Sequence, residues 1–236
     1  LVLCHNKTDH KKGDQVNGFA FTGVSKDGRC GVFVPQKPLS KPQQCKDQIF
    51  QYSPTQRTKR FYVNGKKVFC TYSKQPDSSW EKNAGTALWP LYRQDKVIGK
   101  STVVAFEGEK CADIAAAGGL DAVSQPGHAW TDDAQRLERY RQLAAAGTKR
   151  LVIVADNDSH GIKRANASAA SATQAGLEAR LLKADAVWSG IPAGGSIDDA
   201  PGSPQERAEL LNEAAKQQEP WQEPFVSDDV GIDPYP

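Results

Sequence analysis

The segment from Lys149 to Ala169 constrains the fold of this chain more than any other. It begins with the apolar run Leu151–Ala155, which predicts a strand buried on both faces, and it continues into an alanine-rich pattern typical of a helix. Asp156 and Asp158 stand where that strand should end. Because side chains alternate along an extended chain, both carboxylates are expected to point the same way.

The Asp156-Asn-Asp158 sequence has two interpretations. Carboxylate oxygens are ligands that suit Mg²⁺, so the pair can hold a divalent cation. The alternative is a polar loop between strand and helix, in which an aspartate caps the helix N-terminus. Gly161 follows in the sequence and is expected to let the backbone approach a ligand closely.

A second acidic strand end lies upstream. The apolar run Thr102–Phe106 leads directly into Glu107 and Gly108, and a helix-like pattern follows over residues 109–117. In an open parallel α/β sheet, ligands bind beyond the carboxyl ends of the strands. Glu107 and the aspartate pair are therefore expected to meet at one edge of a parallel sheet.

These motifs, Glu107-Gly108 and Asp156-x-Asp158, resemble the TOPRIM domain shared by bacterial and phage DNA primases, topoisomerases and some nucleases. The resemblance covers residues 100–200. Within it, the sequence is most similar to primases of phages, plasmids and other mobile elements at residues 106–113 (FEGEKCAD), 125–130 (QPGHAW) and 155–161 (ADNDSHG). One departure is Cys111, which stands where many primases carry an aspartate. Glu109 and Asp113 are the candidates to supply that charge.

The resemblance implies an α/β fold, a Rossmann-like parallel sheet flanked by helices and preceded by a small β-rich N-terminal region. It also implies that Glu107 assists proton transfer while Asp156 and Asp158 bind two Mg²⁺ or Mn²⁺ ions. A short acidic motif after the last strand makes Asp198 a candidate supporting ligand, with Asp199 as the alternative.

Four residues near these motifs are candidate contacts to nucleotide phosphates: Lys110, His128, Lys163 and Arg164. His128 lies in a loop and can equally be incidental. Lys163 and Arg164 follow Asp158 closely, so they can bind the triphosphate of an incoming nucleotide or simply lie on the helix surface.

Charge is distributed unevenly along the chain. Residues 1–100 contain 18 Lys and Arg against 7 Asp and Glu, whereas residues 101–236 contain 12 against 21. The first half therefore carries +11 and the second −9. Because neutralisation of phosphates supplies most sequence-independent affinity for nucleic acid, the basic half is expected to contact DNA.

The most aromatic segment, residues 49–95, lies in the basic half. Asn64-Gly65 between two β-rich runs predicts a tight hairpin. Aromatic rings beside cations suit the bases and backbone of single-stranded DNA, although the same rings can form the core of a small sheet. The candidate DNA contacts are Arg57, Lys59, Arg60, Tyr62, Lys66 and Lys67.

The patterns predict four regions. These are a small β-rich region (1–48), a basic aromatic subdomain (49–98), a catalytic α/β domain (99–202) and a short helix with an acidic, proline-rich linker (203–236). Within the third region, residues 133–146 form a helix pattern with an expected exposed basic face at Arg136, Arg139 and Arg141.

Several functions and locations are disfavoured by composition. No apolar run is long enough to cross a membrane and no secretory signal pattern is present, so a cytoplasmic location is expected. The chain begins with Leu1 and contains no methionine, which suggests part of a longer protein. Its five cysteines lack a C-x2-C pair, so zinc is not expected and the thiols should be reduced.

The leading hypothesis is a DNA primase core that synthesises short RNA primers on single-stranded DNA from nucleoside triphosphates, with a replicative helicase as a possible partner. One alternative is a TOPRIM nuclease, because the same acidic constellation can activate water. The other is a nucleic-acid-binding module whose catalytic site has decayed, which is suggested by Cys111.

The double substitution of Lys66 and Lys67 by Ala tests the basic half. Each lysine that neutralises a phosphate contributes about one unit to the salt dependence of binding. The double variant should bind single-stranded DNA more weakly, with a salt slope shallower by about two in fluorescence anisotropy titrations. An unchanged slope would show that these lysines face only solvent.

Overall fold

The structure, a computed structural model, describes residues 2–4, 15–16, 19–24, 31–35, 47–63, 65–127 and 132–222. The chain divides into two compact units. The first comprises Leu1–Asp47 and Phe61–Lys67, and the second comprises Gln48–Arg60 and Val68–Pro236.

The first unit contains a four-stranded antiparallel sheet in the order β1-β4-β3-β2. Its strands are β1 (Val2–Cys4), β2 (Gln15–Val16), β3 (Phe19–Val24) and β4 (Gly31–Pro35). The expected β-rich N-terminal region is therefore confirmed.

A second four-stranded sheet follows, in the order β5-β6-β7-β8. Its strands are β5 (Gln48–Ser53), β6 (Gln56–Val63), β7 (Lys66–Lys74) and β8 (Trp80–Glu81). The predicted hairpin joins β6 to β7. Gly65 at its turn has a φ of 75°, a left-handed conformation that glycine adopts without steric cost, while Asn64 lies outside the described residues.

The third sheet is parallel and forms the centre of the second unit, with strands in the order β10-β9-β11-β12. The strands are β9 (Thr102–Phe106), β10 (Ala122–Ser124), β11 (Arg150–Ala155) and β12 (Glu178–Lys183). The helices are α1 (Glu109–Ala117), α2 (Asp133–Ala145), α3 (Ser159–Gln174), α4 (Ala184–Val187) and α5 (Pro204–Gln217). The predicted α/β fold, with a parallel sheet flanked by helices, is confirmed.

Alternation along the central strands separates the core into two layers. On β11, Leu151 and Ile153 pack with residues of α2 and α3, whereas Val152 and Val154 pack with residues of α1 and α5. Both sets are at most 3% exposed. The continuous apolar run that predicts a strand buried on both faces is explained by these two layers of helices.

The segment after β12 closes the second layer. Helix α5 begins with a reciprocal capping box between Ser203 and Glu206 and packs against α1. Gly118, just after α1, has no space for a side chain, because an added Cβ would lie 2.3 Å from the carbonyl oxygen of Pro204. The absence of a side chain at Gly118 therefore allows α1 and α5 to pack closely.

The prediction that Arg136, Arg139 and Arg141 form an exposed basic face on α2 is wrong for two of these three residues. Arg136 and Arg139 are buried, at 2% and 0% exposure, and only Arg141 is exposed. Arg139 donates to the carbonyl of Trp89 and to the amide oxygens of Gln125 and Gln135, so buried oxygens take the place of water. Burial lowers the pKa of the Arg139 guanidinium to about 10.

No helix in the described part of the chain is long and apolar enough to span a membrane.

The central sheet should carry much of the stability. Leu151 is fully buried on the central strand β11, whereas Leu210 on α5 is 52% exposed. Leu151→Ala should lower the free energy of unfolding in urea by about 2–5 kcal/mol, because it leaves a cavity in a packed core. The matched change Leu210→Ala should alter it by less than about 0.5 kcal/mol. Equal losses for the two variants would contradict the assigned core.

Candidate active site

The topology of the parallel sheet creates a crevice between two central strands. From β9 the chain passes through α1 to β10 on one side, and from β11 it passes through α3 to β12 on the other. Such a reversal of strand order is where open α/β sheets bind ligands. Glu107 follows β9 and Asp156 follows β11, so both side chains lie at the mouth of this crevice.

Glu107 lies on the α3 side of the crevice. Its Oε2 atom accepts a hydrogen bond of 2.8 Å from Nη1 of Arg164, forming an ion pair in which the glutamate side chain is 12% exposed. The Oε1 atom is buried and has no hydrogen-bond partner among the described residues. One carboxylate oxygen is therefore held by a cation while the other is left without a donor.

Asp156 is the electrostatic centre of the site. Burial first, and then the nearby negative charge of Glu107, raises the pKa of Asp156 to about 7. Its Oδ1 atom is buried without a protein donor of good hydrogen-bond geometry in the described structure. The Ser196 side chain lies near enough to lower the pKa of Asp156 and so opposes part of the rise.

Gly161 explains part of this burial. A Cβ at Gly161 would lie 2.5 Å from the carbonyl oxygen of Asp156 and 3.0 Å from its Cβ. The close approach seen at Gly161 is to the backbone of Asp156, and an approach to a ligand stays a prediction. The first turn of α3 packs directly over Asp156.

The helix-capping interpretation of the motif applies to Asp158, and metal binding by Asp158 stays a prediction. This residue is the N-cap of α3, and its Oδ1 atom accepts a hydrogen bond of 2.6 Å from the backbone N–H of Gly161. It is also close enough for its charge to contribute to the raised pKa of Asp156. Helix capping thus fixes the residue beside the site.

Asp198 reaches the site through the loop after α4. Backbone hydrogen bonds join Asn157 to Gly194 and Gly195, which ties this loop to the end of β11. The Oδ2 atom of Asp198 accepts 3.0 Å from Nζ of Lys110. Burial acts to raise the pKa of Asp198, but the bond and charge of Lys110 outweigh it and hold the pKa below the ordinary value.

Cys111 lies beside Asp198, with its Sγ atom 3.6 Å from Oδ1. Burial and the charge of Asp198 raise the pKa of this thiol, so it stays protonated and can donate to the carboxylate. Glu109 instead accepts from the hydroxyl of Tyr52 at 2.6 Å, and Asp113 accepts from Tyr92 and Arg93. The carboxylate next to position 111 is therefore that of Asp198.

The four carboxylates are not a ready-made metal cluster. Within residues 47–63, 65–127 and 132–222, no three His, Cys, Asp or Glu side chains are arranged to hold one ion. The chemistry of the site nevertheless fits a hard divalent cation, because neighbouring carboxylates together with burial raise the pKa of Asp156. Asp158 and Asp198 would be the further ligands of such an ion.

The candidate phosphate-binding residues divide into two groups. Lys110 and Arg164 lie at the site, each paired with a carboxylate. Lys163 is exposed on α3, and His128 lies outside the described residues. Lys163 and Arg164 differ because successive side chains on a helix point about 100° apart around its axis.

The candidate DNA-binding residues lie on the sheet β5–β8 and its hairpin. The guanidinium of Arg57 lies 3.9 Å from the ring centre of Trp80 and 5.7 Å from that of Tyr72. Tyr62 is 42% exposed, Lys66 and Lys67 are exposed, and Lys59 and Arg60 are partly buried. Tyr72 and Trp80 were not among the candidates, since strand pairing brings them to Arg57.

The two interpretations of the aromatic segment apply to different residues. Phe50, Tyr52 and Trp89 are buried and pack with Tyr92, so they form a core. Tyr62 and Phe69 are exposed, so their rings are not part of that core.

Asp156→Asn tests whether this carboxylate is a metal ligand that destabilises the fold when no cation is bound. Without divalent cations, the variant should be more stable than the wild type by about 1–2 kcal/mol, because a buried charge beside Glu107 is removed. Mg²⁺ should raise the melting temperature of the wild type and leave that of the variant unchanged. The exposed change Asp185→Asn should behave as wild type in both respects. A variant that is destabilised and still responds to Mg²⁺ would contradict the assignment.

No protein-family model and no curated protein matches this chain. Among solved structures, it is similar to a DNA primase domain from Pseudomonas aeruginosa, with 17% identity and a TM-score of 0.46 over 92% of this chain and 56% of that one. It is also similar to the zinc-binding and RNA polymerase domains of the Aquifex aeolicus primase, with 15% identity and a TM-score of 0.46 over 92% and 44% of the two chains. A third is the primase fragment of the bacteriophage T7 primase-helicase protein, with 12% identity and a TM-score of 0.41 over 67% of this chain and 66% of that one. The chain thus spans about half the length of the two bacterial structures.

Proposed function

We propose that this chain is the core of a DNA primase, a metal-dependent nucleotidyltransferase that makes short RNA primers on single-stranded DNA. The observation that supports the proposal is the cluster of acidic side chains at the crevice between β9 and β11, where burial and the charges of Glu107, Asp158 and Asp198 raise the pKa of Asp156 to about 7. The low TM-scores of the similar primase structures add no weight to it.

The carboxylates have distinct roles in this proposal. Asp156 and Asp158, with Asp198 in support, hold Mg²⁺ or Mn²⁺ ions. When bound, these ions supply charge neutralisation at the attacking and leaving oxygens of nucleotidyl transfer. Glu107 accepts the proton of the attacking 3′ hydroxyl at its Oε2 atom, which becomes available when Arg164 turns to the triphosphate of the nucleotide.

Arg164 and Lys110 serve as the phosphate contacts. In the structure each balances the charge of one carboxylate, Glu107 or Asp198. In the proposed catalytic state both side chains turn from these carboxylates to the triphosphate of the incoming nucleotide. A guanidinium is suited to this task because it presents several donors to phosphate oxygens.

The template strand is proposed to contact the sheet β5–β8. Arg57 stacked on Trp80 offers a flat cationic surface, and the exposed lysines at the β6–β7 turn offer phosphate contacts. A replicative helicase, joined or separate, is the partner proposed here, and this proposal rests on the resemblance of residues 106–113 and 155–161 to primases of mobile elements.

A non-catalytic nucleic-acid-binding module is the second candidate function. It is favoured by the two ion pairs that occupy Glu107 and Asp198 and by a thiol at position 111. In such a module the ion pairs would be permanent, and added Mg²⁺ would leave them in place.

A primer-synthesis assay tests the proposal. The chain is incubated with single-stranded DNA of varied sequence, labelled nucleoside triphosphates and Mg²⁺, beside a nicking assay on duplex and single-stranded DNA. Short labelled RNA should form, and Glu107→Gln should reduce its rate by about 10²–10⁴-fold because the proton acceptor is lost. The exposed change Asp185→Asn should leave the rate unaltered.

The other outcomes assign the alternatives. Cleavage without synthesis would identify a nuclease, in which water replaces the 3′ hydroxyl as the nucleophile. DNA binding that is unaffected by Mg²⁺, with neither synthesis nor cleavage, would identify the binding module.

A further inference from the structure

A small cavity lies directly behind Glu107, inside the layer between the sheet and helices α2 and α3. The cavity has a volume of about 10 Å³, which is close to the minimum that holds one water molecule. Its apolar lining comes from the strands and α3, in Ala105, Phe106, Ile153, Val154 and Ala165. Its polar lining is limited to Glu107, Gln125, Tyr140 and Ser168.

Each polar residue of this lining has a buried atom that makes no hydrogen bond of good geometry in the described structure. The atoms are Oε1 of Glu107, Nε2 of Gln125, the hydroxyl of Tyr140 and Oγ of Ser168. Gln125, Tyr140 and Ser168 are at most 2% exposed. Burial raises the pKa of the Tyr140 hydroxyl, and the adjacent Ser168 and Gln125 side chains oppose that rise. Because buried polar groups are almost always hydrogen-bonded, four such atoms around one cavity point to a shared partner.

The donor and acceptor pattern specifies that partner. Arginine can only donate, so the bond of 3.2 Å from Nη1 of Arg139 requires the amide oxygen of Gln125 to face Arg139. The amide nitrogen is left as a donor. Glu107 Oε1, as part of an ion-paired carboxylate, is an acceptor, while the hydroxyls of Tyr140 and Ser168 can act in either sense.

We propose that one ordered water molecule occupies this cavity and connects the buried guanidinium of Arg139 to the carboxylate of Glu107. The water accepts from Gln125 Nε2, donates to Glu107 Oε1, and makes its remaining bonds to Tyr140 and Ser168. A line of polarised hydrogen bonds then runs from Arg139 through Gln125 and the water to Glu107.

This arrangement makes Gln125, Tyr140 and Ser168 positioning residues for Glu107. The water and Arg164 would hold the two oxygens of the carboxylate from opposite sides, which fixes its orientation at the end of β9. The consequence for catalysis rests on the proposed function, whereas the water site itself does not.

A high-resolution crystal structure of the 236-residue chain tests the site without any activity measurement. It should show a water within hydrogen-bond distance of at least three of the four atoms. In Tyr140→Phe the water should lose one contact, and in Gln125→Leu it should be absent. An empty cavity in the wild type, or one closed by direct bonds among the four residues, would overturn the proposal.

Unfolding equilibria provide a second test, because a hydrogen-bonded hydroxyl at Tyr140 and an unpartnered one predict opposite changes in stability for Tyr140→Phe. If the hydroxyl of Tyr140 bonds to water, Tyr140→Phe should lower the folding constant by about fivefold. If it has no partner, removing it should raise that constant. The changes Tyr140→Phe and Ser168→Ala should be non-additive, whereas Tyr140→Phe and Thr148→Val should be additive, since Thr148 loses a buried hydroxyl away from the cavity.

Turnover separates positioning from simple loss of stability. Tyr140→Phe should reduce kcat for primer synthesis by about tenfold with KM for nucleotide nearly unchanged, because only the orientation of Glu107 is affected. In the Glu107→Gln background the same change should have almost no further effect. An equal loss in both backgrounds would show a merely structural role. Inactivity of the wild type would contradict the proposed function alone, because the water would still be visible.

Discussion

The repulsion between Glu107 and Asp156 is the constraint on which the rest of this site depends. Two carboxylates at adjacent strand ends are partly buried, and burial together with the charge of Glu107 raises the pKa of Asp156 to about 7. A fold keeps such a pair only if other contacts compensate for it. Here the compensation comes from Arg164 and Lys110 and from the two apolar layers that fix β9 and β11.

Local patterns made the central fold predictable from sequence. The runs at Thr102–Phe106 and Leu151–Ala155 match β9 and β11 to within one residue, because a strand covered on both faces has a continuous apolar signal. The same reasoning places Glu107 and Asp156 at one edge of the sheet, which is where the structure has them.

Contacts between distant segments were not predictable in this way. The burial of Arg139 depends on oxygens from Trp89 and Gln125, which lie 50 and 14 residues away and carry no signal within the helix itself. Amphipathic patterns assign arginine to solvent, since an isolated buried charge is costly. The carboxylate partners of Arg164 and Lys110 were equally hard to predict. Sequence spacing shows that each residue lies near the site but not which carboxylate it pairs with.

Cys111 illustrates how such a contact can replace a residue expected in the motif. An aspartate at this position would stand beside Asp198 and close to Asp156, which would add a further negative charge to a site that already shifts the pKa of Asp156. A protonated thiol instead donates to Asp198. The carboxylate from the distant loop thus occupies the place that the motif assigns to the helix, and Lys110 on that helix keeps it ionised. The thiol therefore leaves the site with one carboxylate fewer than the motif predicts and adds a hydrogen-bond donor to Asp198 in its place.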